Sequence, residues 1–127
     1  MLFNKLIEVI NKIEADFKNK GVYLGQFLED FKTANNKSLR YYLVKDKPVF
    51  NGNQPHFKAL VASMVHKLCN DYQLTPPKWV FDNEFYLDDA YFSGNIEGKG
   101  RIRLLVDSPP EFKLRNVFVS ANALMRE

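Results

Sequence analysis

Apolar residues return every three or four positions through the first twenty residues: Leu2, Leu6, Ile10, Ile13 and Phe17, with Phe3, Ile7 and Val9 widening the stripe. That period predicts an amphipathic helix over 2–20, with Asn4, Glu8, Asn11, Lys12 and Ala15 on its polar side. Lys18 and Lys20 followed by Gly21 match the chemistry of a helix C-terminus. A second helix is expected over 22–34, with Leu24, Phe27, Leu28 and Phe31 inward. Asn35 and Asn36 end it, and a shorter helix over 37–45 carries Leu39, Tyr42 and Leu43.

Asp46, Pro48, Asn51, Gly52 and Asn53 then make a turn-rich break. The clearest stripe follows over 54–72: Phe57, Leu60, Val61, Met64, Val65, Leu68 and Tyr72. Asn53 is the expected cap, and Pro55 falls in the first turn, where its missing N–H is not needed. Helices 2–20 and 54–72 are expected to form the core pair, burying Leu6, Ile10, Ile13, Leu60, Met64 and Leu68.

The pattern changes after residue 73. Thr75, Pro76 and Pro77 force an extended connection. Trp79, Val80, Phe81, Phe85, Tyr86, Leu87, Tyr91 and Phe92 then crowd large apolar side chains into one short stretch. Such a run either wraps the helical core or presents a surface to a partner. Arg101, Ile102, Arg103 and Leu104 alternate as in a strand, but Leu105 and Val106 break the alternation, and 99–106 is read as helix. Ser108 and Glu111 have capping-box spacing around Pro109 and Pro110, predicting a short helix over 109–115. Asn116–Val119 looks extended, with Val117 and Val119 on one side and Phe118 on the other. Ser120 is placed to cap a last turn through Arg126.

The length of 127 residues suits one domain of five to seven helices, covering 1–127: regular helices over 1–72, then the irregular aromatic segment and short C-terminal helices over 73–127. A hydrophobic content of 46% is enough to fill that core, and the expected class is all-α. Eighteen basic and 15 acidic residues leave a net charge of +3, too mild for an obligate nucleic-acid binder. The distribution is uneven. Residues 73–97 are acidic, whereas the last thirty hold Lys99, Arg101, Arg103, Lys113, Arg115 and Arg126. Cys69 is the single cysteine and can form no internal disulfide. Charges interrupt the N-terminal apolar run, and no stretch approaches the roughly 18 apolar residues of a membrane span. A cytoplasmic protein is expected.

Catalytic chemistry is thinly represented. His56 and His66 lie about 80° apart around their helix and share no face, and neither has a second thiol for a zinc site. His66 is expected to face water, and Cys69 to be a buried structural thiol. Gly94, Gly98 and Gly100 around Lys99 match no phosphate-binding fingerprint. No serine has a nucleophile-elbow context. The reading is therefore of a non-enzyme needing no metal or cofactor.

Two stretches together resemble a known family. One runs Pro76, Pro77, Trp79, Phe85, Tyr86, Leu87, Asp88, Tyr91 and Phe92. The other runs Ser108, Pro109, Pro110, Glu111, Phe112, Lys113, Arg115, Asn116, Val117, Phe118, Val119 and Ser120, with Leu124 and Arg126. Over about 75–126 the chain is similar to small, largely uncharacterised bacterial proteins whose genes sit beside nucleotidyltransferase-like toxins in antitoxin-like pairs. The resemblance implies no catalytic residues. It implies a non-catalytic bacterial protein that binds a partner protein, a nucleotidyltransferase-like toxin being the partner it suggests.

The residues expected to serve that surface are Trp79, Phe85, Tyr91, Phe92, Phe112, Arg115 and Phe118, at least one of the rings remaining well exposed. The alternative function is nucleic-acid binding or regulation through the basic C-terminal third, with Arg101, Arg103 and Arg115 on phosphates.

Overall fold

The structure is a computed structural model that describes residues 3–51, 54–92, 104, 105 and 107–119. The first predicted helix is interrupted. Helix α1 spans Leu6–Ala15, a 3₁₀ turn covers Phe17–Asn19, and α2 spans Lys20–Thr33. The chain bends at Asp16, well before Gly21. Asp16 leaves helical geometry (φ −152°, ψ 62°), and its carboxylate accepts from Asn19 Nδ2 at 2.9 Å and from the Tyr23 hydroxyl at 3.0 Å. A short acidic side chain that bonds its own neighbourhood competes with helix continuation. Gly21 consequently sits inside α2 and terminates nothing.

Helix α3, Lys37–Val44, is capped by Asn36, whose Oδ1 accepts from the Leu39 N–H at 2.8 Å. From α3, Arg40 reaches back to the end of α2. It donates to the carbonyls of Phe31 and Lys32, each at 3.1 Å, and stacks over the Tyr72 ring at 4.3 Å. The orphan carbonyls of one helix are thus satisfied by a cation from the next.

Helix α4, Pro55–Asp71, is the longest described and carries Pro55 in its first turn. The preceding cap position is Gln54; the expected cap, Asn53, lies outside the described residues. The helix closes in a Schellman-type turn. The Leu74 N–H bonds the Cys69 carbonyl at 2.7 Å, and Gln73 takes the left-handed conformation (φ 60°) that such a turn requires.

The expected pairing of the first and fourth helices is corrected. Helix α1 packs chiefly on α2 and α3, whereas α4 packs on the second half of the chain. Leu6, Ile10, Ile13, Met64 and Leu68 are buried as expected, and Leu60 is half-buried. A chain of rings ties the two halves into one core. Phe17 meets Phe57 edge-on at 5.3 Å, Phe57 meets Phe50, Phe50 meets Phe85, and Phe85 meets Trp79 at 5.4 Å.

The aromatic segment folds as two 3₁₀ turns, Lys78–Phe81 and Asn83–Phe85, and then enters a two-residue strand, β1 (Tyr91–Phe92). Leu104, Leu105 and Asp107 are helical, in line with the helical reading there; the rest of 99–106 and all of 120–127 lie outside the described residues. A short helix α5 covers Pro110–Lys113, and β2 (Val117–Phe118) pairs in parallel with β1, Tyr91 opposite Val117 and Phe92 opposite Phe118. The fold is therefore mostly helical and compact, with one minimal parallel bridge among the described residues.

Ser108 does not cap α5, because the N-cap position is Pro109. The Ser108 hydroxyl instead lies against the Leu104 carbonyl and accepts from the Val119 N–H at 2.9 Å. It stitches Val119, just after β2, to the turn before α5.

Candidate interaction site around Arg115

Helix α5 is one turn long, and the chain reverses immediately after it. The Arg115 N–H bonds the Phe112 carbonyl, and the Asn116 N–H bonds the Lys113 carbonyl at 2.9 Å. Asn116 adopts φ 64°, a conformation that asparagine tolerates better than most residues. Its side-chain amide donates to the Leu87 carbonyl at 2.8 Å, and the Leu87 N–H returns a bond to the Arg115 carbonyl. This reversal turns the Arg115 side chain inward, and the residue is completely buried, at 0% exposure.

Its guanidinium is held by neutral groups. Nη1 donates to the Glu111 carbonyl at 2.9 Å and faces His66 Nδ1 at 3.1 Å; Nη2 donates to the Val80 carbonyl at 2.6 Å. Nε has no acceptor among the described residues. The Tyr86 and Phe81 rings lie 5.0 and 5.8 Å from the central carbon. Dipoles and ring faces take the place of a bonded carboxylate. Burial lowers the Arg115 pKa, and the charges of Tyr86 and Glu111 oppose that shift. An arginine remains protonated under all ordinary conditions.

His66 is half-buried on α4 and does not face water as expected. The Arg115 Nη1 can only donate, so His66 Nδ1 must accept, which makes the imidazole neutral with its proton on Nε2. Desolvation first, and then the Arg115 charge, hold its pKa below the usual histidine value; Glu111 opposes them weakly. Phe81 closes over this pair, its ring edge-on to the imidazole at 5.0 Å and 77°. The Glu111 carboxylate turns away and accepts from Asn70 Nδ2 at 2.7 Å. Burial works against its ionisation, but the Asn70 bond, a backbone N–H and the charges of Lys67 and His66 prevail and lower its pKa.

Most of the expected contact residues prove to be core. Trp79 (7% exposed), Phe85, Phe112 and Phe118 (8%) are buried, as is Arg115. The reason is that 79–92 wraps α4 and is pinned at both ends. The Trp79 indole N–H donates to the Val44 carbonyl at 3.0 Å, and the Tyr91 N–H bonds the Asn116 carbonyl at 2.8 Å. Both sides of β2 are covered, since Phe118 stacks on Phe92 at 5.0 Å. Tyr91 and Phe92 are half-buried, Tyr91 stacking on the exposed His56 at 4.1 Å.

Burial also removes Arg115 from any phosphate-binding surface, since every guanidinium donor points into the protein. Arg101 and Arg103 lie outside the described residues. Among the exposed apolar side chains, with Val22, Tyr42 and Val49, are Phe81 and Leu114, each 47% exposed and neither among the expected contact residues. Phe81 and Leu114 flank Arg115, one across its guanidinium and the other as its chain neighbour. The 3₁₀ turn sends Trp79 and Val80 inward and leaves Phe81 outside, and no spacing in the aromatic run marks that choice.

Other chemistry is limited in the described region. Burial pushes the Cys69 thiol up to about 12, so it is neither nucleophile nor metal ligand at neutral pH. Among the described residues no cluster of His, Cys, Asp or Glu suits a metal ion. An open groove of about 460 Å³ between α3 and the end of α4 is lined by Lys37, Ser38, Tyr41, Gln73, Leu74 and Thr75. It offers one ammonium and a phenol without a neighbouring acid–base partner. No described helix is long and apolar enough to cross a membrane. No protein-family model, curated protein or solved structure matches the chain.

Proposed function

We propose that this protein is a non-catalytic, antitoxin-like binder of a partner protein, and that Phe81 is the anchor of its contact surface. The observation carrying this reading is the state of the Phe81 ring: 47% exposed, yet braced from beneath by the His66 imidazole and the Arg115 guanidinium. An aromatic already held in one place loses little conformational freedom on binding, and interface energy concentrates in such residues. The buried Arg115 serves the surface as its foundation and does not touch the partner. The partner suggested by the sequence resemblance is a nucleotidyltransferase-like toxin encoded by the adjacent gene.

Co-expression with that gene's product tests the reading. Phe81→Ala is expected to weaken binding by about 2 kcal/mol or more, roughly thirtyfold, with little change in melting temperature. Val49→Ala, at another exposed apolar position, is the control and leaves binding unchanged. Equal affinity for wild type and Phe81→Ala removes Phe81 as the anchor; no complex with wild type removes the proposed partner.

A further inference from the structure

The contact between His66 and Arg115 tolerates only one protonation state. Arg115 Nη1 is a permanent donor 3.1 Å from His66 Nδ1. A proton on Nδ1 would set two N–H groups against each other and two positive charges side by side. Turning the ring over would place a C–H against Nη1 and leave that donor without its acceptor. The site has no slack for either arrangement, because Arg115 is fully buried and its other terminal nitrogen is committed to Val80 at 2.6 Å.

We propose that His66 is a proton-operated latch beneath the Phe81 surface: neutral, it holds Arg115 and seats the Phe81 ring; protonated, it releases both. The use of the latch in partner binding rests on the function proposed above, but the latch itself does not. The movement follows from what each group touches. Phe81 ends the 3₁₀ turn Lys78–Phe81, and the Val80 carbonyl in the same turn accepts from Arg115. Displacing the guanidinium therefore removes the ring's support and the turn's tether together.

The charged surroundings define the outcome. From the C-terminal turn come Arg115 and Glu111, and from α4 itself comes Lys67, which is paired with Asp71 at 2.9 Å. The turn bearing Phe81 contributes a ring and a carbonyl to the cluster. These four charges sum to zero while His66 is neutral, and protonation makes the cluster +1. Glu111 is the anion nearest to hand, bonded to Asn70 from the same helix as His66. The protonated imidazole can turn toward that carboxylate and away from Arg115. Desolvation and the Arg115 charge hold the His66 midpoint below 6.5, so the latch is closed at neutral pH and opens as the pH falls through that lowered midpoint.

The test is a pH titration from 8 to 5 of wild type and His66→Asn, followed by NMR of protein labelled in its histidine and phenylalanine rings. The asparagine amide oxygen can replace the Nδ1 acceptor but does not titrate. In wild type, the His66 signal is expected to titrate with a midpoint below 6.5, and the Phe81 ring signals to move with that midpoint. The Phe27 signals, from a ring on α2, should hold still. In His66→Asn, the Phe81 signals should keep their high-pH positions throughout. A Phe81 ring that ignores the His66 titration, or moves equally in both proteins, overturns the latch. The wild-type comparison decides by itself if the variant does not fold. Affinity for the adjacent gene's product, measured across the same range, separates the two proposals. No binding at any pH defeats the partner reading while the NMR result still decides the latch. Binding indifferent to pH while Phe81 moves overturns the latch as a control of binding.

Discussion

Burial raises the Cys69 thiol to about 12, leaving almost no thiolate at pH 8. The side chain is also fully enclosed in α4. Cys69 is therefore expected to resist a thiol-reactive chromogenic disulfide in the native protein and to react once denaturant is added, one equivalent per chain. Immediate native labelling would show that the α4 packing is looser than described. Arg115 makes the opposite use of burial. Its charge is kept inside by two carbonyls, an imidazole and two rings, an arrangement whose value lies in geometry. The planar fork reaches Glu111, Val80 and His66 from one side chain, which a lysine ammonium at the same position cannot reproduce.

Helix α2 shows how an element can carry a removable weakness. Gly21 and Gly25 are both helical, neither has a positive φ, and a Cβ built at either meets nothing within 4 Å. Glycine in a helix interior costs roughly 0.5–1 kcal/mol relative to alanine. Gly25→Ala is expected to stabilise the protein by about that amount, and Gly21→Ala, in the first turn, by less, each raising the midpoint of denaturant unfolding at constant slope. A fall in the midpoint for either would mean that its backbone needs the freedom of glycine. The start of α2 also explains why the periodic pattern over 2–20 reads as one helix. Phe17 continues the stripe in register, but Asp16 turns its carboxylate to Asn19 and Tyr23, and the chain resumes as a separate helix.

Across the whole molecule, stability should depend on pH through His66 and the surface carboxylates. His66 has a folded-state pKa below its unfolded value of 6.5, so the unfolded chain binds more protons in that region. Its contribution is complete above 6.5 and is lost as pH falls through the folded value. Hydrogen bonds from Lys47 and then Lys58 hold the Glu84 carboxyl low, and bonds from Lys5 and Lys45 do the same for Asp46. Those contributions are likewise present above the ordinary carboxylate range and fade as pH falls through it. Melting temperature should accordingly be flat from pH 8 to about 6.5 and decline below. His66→Asn should remove the first part of that decline and keep the second. A wild-type melting temperature that rises between pH 6.5 and 5.5 would contradict the neutral His66 contact.

Local order along the chain is legible in the amino-acid sequence because it depends on nearest neighbours. The stripes that bury Ile10, Ile13, Met64 and Leu68, the Asn36 cap of α3, Pro55 in the first turn of α4 and the extended Val117–Phe118 all follow from spacing and intrinsic preference. Partnership between distant segments does not. Arg115 reads as a surface cation until His66, Val80 and Tyr86 are brought around it from 49, 35 and 29 residues away. Trp79 and Phe85 fit either a core wrap or a partner surface until the segment is laid over α4 and tied to Val44 and Asn116. Only then is Phe81 left as the exposed ring of that segment. Composition and period dictate how much apolar surface each element must hide. Which side chains are hidden in the irregular half, and whether a buried charge finds acceptors there, is decided by tertiary packing, because the groups that satisfy one another lie on segments with no periodic relation.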